Sequence, residues 1–307
     1  MEISETNQAE ALRSAAEAAM REHGFEPEFS PEVIREVRAL DEPADNPQPA
    51  DVRDMRGALW SSIDNRESRD LDQIEVAERV GDSIRVCIGV ADVDCLVPIG
   101  SPADEHASTN TTSVYTGVVT FPMLPERLST NLTSLNEGED RLAVVVQFDV
   151  DANGGIGETQ IFRALVRNNA KLAYDPVGDW LAGKTPPPAA IAKSKELEQQ
   201  LRLQIEAAQR LRHAREIAGA LDFESVEATP VVARGKVVDL AITRKGPGRD
   251  LIEDFMVAAN RSVAKYLVDR GTASLRRCKA RSETRCRRMS PDRTARRWCP
   301  MSKPSRS

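Results

Sequence analysis

Two stretches of alternating apolar residues limit the folds open to this chain. In IEVAERV, the pair Gly81-Asp82 and SIRVCIGV, the residues Ile84, Val86, Ile88 and Val90 occupy every second position. Successive side chains of a strand point to opposite faces, so this spacing predicts a hairpin with one face buried. LAVVVQFDV, DANGG and IGETQIF repeat the pattern over 142–162. A sheet is therefore expected.

Helical signals surround it. Residues 7–22 are rich in Ala and Glu and stop at Gly24, and Ser30-Pro31-Glu32 followed by Val33, Val37 and Leu40 reads as a second, capped helix. The Pro-rich, acidic segment 41–50 reads as a linker. After TPPP at 185–188, Leu197, Leu201, Ile205, Ala208 and Leu211 recur at helical spacing, and Gly219 supplies a stop. Arg202, Arg210, Arg212 and Arg215 lie off that stripe and read as a solvated face. VEATPVVARGKVVDLAI predicts another strand pair. DLIEDFMVAANRSVAKYLVDRG predicts a long helix with Asp250 at its cap and Gly271 at its end. The fold class is α+β, mixed rather than all-helical or all-strand.

Composition narrows the chemistry. The 307 residues are 40% hydrophobic, enough for a packed core, and contain no run of eighteen apolar residues. The acidic start MEISETNQAE lacks the features of a secretion signal, which predicts a cytoplasmic protein without a membrane partner. Five Cys form no CxxC pair and only three His are present, so neither a structural zinc site nor a disulfide framework is supported. Hard-cation chemistry on carboxylates is the remaining metal option. The net charge of −6 conceals ten Lys or Arg against two acidic residues over 278–307, leaving about −14 on the rest. Those last thirty residues hold no Leu, Ile, Val or Phe and show no period. They cannot build a core, and they read as an irregular, disordered tail of out-of-frame character.

Carboxylates crowd one stretch, SSIDNRESRDLDQIE, with Asp64, Asp70 and Asp72 inside nine residues. In an extended conformation Asp70 and Asp72 share a side and Leu71 points the other way, while the polar NRES could loop Asp64 back to them. Such a group suits either a solvated turn or a site for divalent cations that neutralise a phosphate and activate water. Alone, the pattern does not decide.

In company it says more. DVRDMRGALWSSIDNRESRDLDQIE, IGVADVDCLVPIGSPADEHA, TSVYTGVVTFPMLPERLSTNLTSLNEGEDRLAVVVQFDV, ALDFESVEA and LIEDFMVAANRSVAKYL follow one another. In that order they resemble the catalytic RNB domain of the ribonuclease II family of 3'-to-5' exoribonucleases. The resemblance covers about Asp51 to Leu275. It divides the chain into an N-terminal helical segment (1–40), a linker (41–50), the N-terminal portion of the RNB domain (51–275) and the basic tail (276–307).

The resemblance implies Mg2+, with Mn2+ as the substitute, held by Asp64 and Asp70, and Asp72 as the carboxylate nearest the hydrolytic step. Gln73 stands where the family commonly has a fourth aspartate, as a neutral or water-mediated ligand. It also implies single-stranded RNA as partner, contacted by stacking on Tyr115 and Phe223 and by Glu253 near the terminal ribose. Read from the residues alone, Tyr115 and Phe223 suit core positions equally well, and Glu253 suits a capping box. Asp92 is expected to brace the site or a turn. No protein partner is indicated. The family's later arginine-bearing segment and OB-type RNA-binding domain find no match, which reads as truncation or a frameshift after about residue 275. The expected activity is release of nucleoside 5'-monophosphates from RNA, and the alternative is an inactive RNB fragment that at most binds RNA.

Overall fold

The computed structural model describes residues 5–41, 50–116, 119–220, 227–233, 236–243 and 246–272. Phe223, the tail from Cys278 and most of the 41–50 linker lie outside them. The chain divides into a unit Met1–Tyr266 and a second, Leu267–Ser307, whose described part is the close of the last helix and the residues up to 272.

Two helices open the chain, α1 (Glu5–Glu22) and α2 (Pro31–Arg38). Ser30 Oγ accepts from Val33 N and Pro31 takes the first helical position, as the sequence predicts. Val33 and Val37, one turn apart, are buried against Val97, Ala103, Leu124 and Leu128. The N-terminal segment thus packs on the domain that follows.

That domain is built on β1 (Arg53–Asp54), β2 (Trp60–Asp64), β3 (Gln73–Val80), β4 (Ser83–Ala91), the helix α3 (Pro102–Asn110), the short pair β5 (Val114–Tyr115) and β6 (Thr120–Phe121), β7 (Asp140–Val150) and β8 (Ile156–Ala173). Both expected hairpins form. β3 and β4 pair antiparallel from Gln73↔Val90 to Val80↔Ser83, and Gly81 takes φ +60°, the positive value a two-residue hairpin loop needs at its first position. β7 and β8 pair antiparallel around Gly154 (φ +77°), where a Cβ would lie 2.0 Å from the Arg210 carbonyl oxygen.

β8 changes partner along its length. Ile156–Arg167 pairs with β7, and Asn168–Ala173 pairs parallel with β2. The pairings β2–β3–β4–β7–β8–β2 therefore close a ring. Trp60, Ile74, Cys87, Val145 and Val166, one from each of its strands, form one core cluster. Ile84, Val86 and Ile88, on the opposite face of β4, join a second. The hairpin is consequently buried on both faces, not on the single face its alternation predicts. Ring closure covers one side and helices cover the other.

Those helices are α4 (Tyr174–Leu181), α5 (Ala189–Lys193), α6 (Lys195–Ile217) and α7 (Pro247–Asp269). Leu197, Leu201, Ala208 and Leu211 of α6 and Leu251, Ile252 and Phe255 of α7 fill the second cluster. α7 starts three residues before the expected cap Asp250, with Pro247 opening it. The α6 arginines are also not simply solvated. Arg212 Nε donates to Asp254 Oδ2 at 3.0 Å, Arg215 Nη2 donates to Asp254 Oδ1, and the Asp254 side chain is only 2% exposed. They tie α6 to α7. The expected last strand pair is present as β9 (Glu227–Ala233) and β10 (Lys236–Thr243), joined antiparallel. No helix among the described residues is long and apolar enough to cross a membrane.

Candidate active site

β2 ends on Asp64, and the polar residues after it curl back on that carboxylate. Asn65 N and Ser68 Oγ donate to Asp64 Oδ1 at 2.6 and 3.0 Å, and Lys171 Nζ from β8 donates to the Ser68 carbonyl. The returning strand is fixed through Leu71. Its side chain is 1% exposed among Trp60, Ile74 and Leu135. Its N–H donates to Ser134 Oγ at 2.9 Å, and its carbonyl accepts from Leu135 N at 2.9 Å. Ser134 Oγ in turn donates to the Arg69 carbonyl at 3.0 Å, and the Asp72 carbonyl accepts from Ala91 N at 3.0 Å. A buried leucine with both backbone groups bonded pins the two aspartates that flank it. Asn168 Nδ2 donates to Ser62 Oγ and to the Leu135 carbonyl, which ties this clamp to β2 and β8.

The Asp72 carboxyl feels the charges of the other two aspartates. Partial burial, then the charges of Asp70 and Asp64, push the Asp72 carboxyl up to about 6. Tyr115 Oη donates to Asp70 Oδ2 at 3.2 Å, and burial followed by the Asp70 charge raises the phenol's own pKa. Asp64 and Glu75 help burial to push Tyr174 up to about 12.

Glu75 has no counterpart among the expected site residues. It lies two positions beyond Gln73, on the same side of β3, and is 0% exposed. Neither of its carboxylate oxygens meets a hydrogen-bond donor, and burial, with the Asp64 charge adding, raises its pKa well above the carboxylate range. Ser61, its partner in the β2–β3 register, and Gln204 of α6 also keep an unpartnered buried oxygen, Oγ and Oε1 respectively. A charged residue between Ile74 and Val76 was the available sign of this position.

None of Asp64, Asp70, Asp72 or Glu75 is in an ion pair among the described residues, although most acidic groups elsewhere on the sheet face an arginine. Among the described residues no group of three or more His, Cys, Asp or Glu side chains is placed to hold a metal ion. Magnesium does not ask for three. It keeps several waters and takes one or two carboxylates plus substrate phosphates. An acidic group without a cationic partner, one member of which resists ionisation, fits such an ion.

Beside the carboxylates opens a cleft of about 640 Å³, with Asn65, Arg69, Asp70, Tyr115, Thr130 and Arg249 among its walls. Tyr115 is 67% exposed in it, so the core placement its residue type allows does not apply. Ser129 and Thr130 come from a π-helical turn, Arg127–Leu132, whose Leu128 and Leu132 share the core of α2. Gln73 opens β3 opposite Val90, half-buried. Glu253 is exposed on α7, inside the helix and away from any capping box. Asp92 braces the sheet: its Oδ2 accepts from Arg163 Nε at 2.6 Å.

Residues 52–294 match the RNB domain, a span that runs past Leu275, where the motif likeness ends. The chain is 32% identical over 241 residues to ribonuclease R of Thermotoga maritima, covering 78% of this chain and 33% of that protein. It is 32% identical over 222 residues to exoribonuclease 2 of Cronobacter sakazakii, covering 71% and 34%. It thus spans about a third of the length of these curated relatives. Mycoplasma genitalium RNase R, solved in complex with ribose-methylated single-stranded RNA, superposes with a TM-score of 0.77 at 24% identity, over 83% of this chain and 39% of that one.

Proposed function

The chain belongs to the RNB-domain family of exoribonucleases, and on that premise we propose that it is a magnesium-dependent 3'-to-5' exoribonuclease that hydrolyses single-stranded RNA to nucleoside 5'-monophosphates. The observation that carries the reading is the unneutralised set Asp64, Asp70 and Asp72, of which Asp70 lines an open cleft. Support comes also from the RNA-bound relative of the same fold.

Asp64 and Asp70 would hold the ion, with Asp72 nearest the water and Gln73 as a neutral neighbour. An ion bound there would supply neutralisation of phosphate charge and a water of lowered pKa. The chain's own groups do the positioning. The Leu71 clamp on Ser134 and Leu135 sets where Asp70 and Asp72 stand. Tyr115 offers an exposed ring on which a 3'-terminal base stacks whatever its identity, as successive removal of nucleotides requires. Glu253 would accept hydrogen bonds from ribose hydroxyls and so favour RNA over DNA.

The test is incubation of the purified chain with 5'-labelled single-stranded RNA and Mg2+. Stepwise shortening from the 3' end, with release of 5'-monophosphates that stops in EDTA and in Asp72→Asn, is expected. RNA binding without release would replace this reading by that of an inactive, RNA-binding RNB fragment. Neither binding nor release would overturn both.

A further inference from the structure

Arg249 differs from most arginines around the sheet in meeting no carboxylate among the described residues; Arg53 of β1, on Gln160 and the Phe162 ring, is another. Arg249 lies in the first turn of α7 and lines the cleft. Its Nη2 donates to Asn65 Oδ1 at 2.8 Å, and its guanidinium stands 4.6 Å from the centre of the Tyr174 ring. Asn65 is the residue whose N–H donates to Asp64. The guanidinium is therefore held from two sides, one hydrogen-bonded step from a candidate metal ligand. Yet it has no carboxylate partner among the described residues, and its Nε is buried with no hydrogen-bond acceptor. Arg215 also keeps a buried, unpartnered Nε, but it and Arg56, Arg85, Arg163, Arg167 and Arg212 all meet carboxylates.

A buried guanidinium donor without an acceptor is costly to leave unsatisfied. The chain tolerates it here at the wall of an open cleft. Glu67, Asp70, Glu126 and Asp175 on the walls outnumber Arg69 and Arg249. An anionic strand entering this space meets repulsion at most points, so the place where it settles is set by the fixed cations.

We propose that Arg249 is a phosphate ligand for the RNA strand, positioning one backbone phosphate beside Asp64 through the part of its guanidinium that lines the cleft. The fork of a guanidinium matches two phosphate oxygens, and the Tyr174 ring fixes its plane. The start of α7 adds the positive end of a helix dipole. This role deepens the exoribonuclease reading and rests on it.

The test measures the Kd of a labelled single-stranded RNA across a salt series in EDTA, where no hydrolysis occurs, for the wild type, Arg249→Gln and Arg249→Lys. Circular dichroism of each variant establishes that it folds. Loss of one phosphate contact should weaken Arg249→Gln on the order of tenfold, equally for every sequence, and flatten the slope of log Kd against log salt by about 0.7. Arg249→Lys should keep the slope and lose part of the affinity, since it retains charge without the fork. Wild-type RNA binding with unchanged Kd and slope in Arg249→Gln would overturn the inference and leave the exoribonuclease reading standing. A lower melting temperature with unchanged binding would assign Arg249 to bracing Tyr174 instead. Should Arg249→Gln not fold, a Kd for Arg249→Lys equal to that of the wild type overturns it. Absence of RNA binding by the wild type would remove the parent reading and this one together.

Discussion

Tyr115 and Asp70, 45 positions apart, meet through a hydrogen bond from the phenol to the carboxylate, 3.2 Å long, at the edge of the cleft. The ring therefore has two separable duties, one through its hydroxyl and one through its face. Tyr115→Phe removes only the first. It should bind RNA in EDTA within about twofold of the wild type and lose activity by about tenfold to a hundredfold, the worth of one hydrogen bond to a charged group. Tyr115→Ala should also lose stacking, about 1–3 kcal/mol of RNA affinity. Fluorescence anisotropy separates the two, and equal RNA affinity for both variants would remove stacking from the account.

Asp72 makes the metal-free protein pH-sensitive. Its ordinary pKa of 3.8 applies to the unfolded chain, and about 6 applies to the folded one. Below pH 4 both forms hold the proton. Between about 4 and 6 the unfolded chain releases it first, so native stability falls across that window and stays lower above it. Solvent reaches this carboxyl, which reduces the effect to on the order of 1 kcal/mol. Asp72→Asn should therefore melt higher than the wild type at pH 7.5 in EDTA, by about 2–4 °C, and equally at pH 4. A melting difference independent of pH would contradict the assignment.

Ser134 is a positioning residue that the acidic motif does not announce. Its hydroxyl accepts from Leu71 N–H and donates to the Arg69 carbonyl, and it is 1% exposed. Ser134→Ala leaves a buried N–H unpaired, at a cost of about 1–3 kcal/mol in urea unfolding. Because Asp70 and Asp72 flank the released residue, RNA hydrolysis measured well below the melting temperature should also fall, on the order of tenfold or more. Full activity in a destabilised variant would reduce the clamp to a purely structural role.

Glu75 should titrate with unfolding. Buried without a donor, its carboxyl has a pKa raised well above the 4.5 of the unfolded chain, so native stability declines as pH rises above that value. Glu75→Gln removes the titrating group at nearly constant shape. Its stability relative to the wild type should grow as pH rises above 4.5, by at most about 1.4 kcal/mol per unit. Thermal melts across that range check it, and a constant difference would mean that Glu75 is charged in the fold.

Much of the fold is legible in the residues. The Val80↔Ser83 hairpin, the Ser30 cap and the Leu197–Leu211 stripe follow from local spacing, because each is decided within a turn or a strand pair. The partner switch of β8 at Asn168 is not, since a period of two states which face is apolar and not which strand lies alongside. For the same reason Arg212 and Arg215 look solvated until Asp254 arrives from α7. At the site, the carboxylates flanking an apolar Leu71 are readable, and the loop that pins Leu71 comes from more than sixty positions away. The start of α7 was written in GPGRD, where Pro247 outranks Asp250 as a boundary signal.

The claim beneath all of this is that Asp64 and Asp70, with Asp72 beside them, bind a divalent ion. Mn2+ substitutes for Mg2+ and is seen directly by electron paramagnetic resonance, so a titration of free Mn2+ into the purified chain, without RNA, is the most direct measurement. The account predicts saturable binding by the wild type, competition by Mg2+, and loss of at least tenfold in affinity in Asp70→Asn and in Asp72→Asn. Mn2+ affinity that is the same in the wild type and both variants would contradict it.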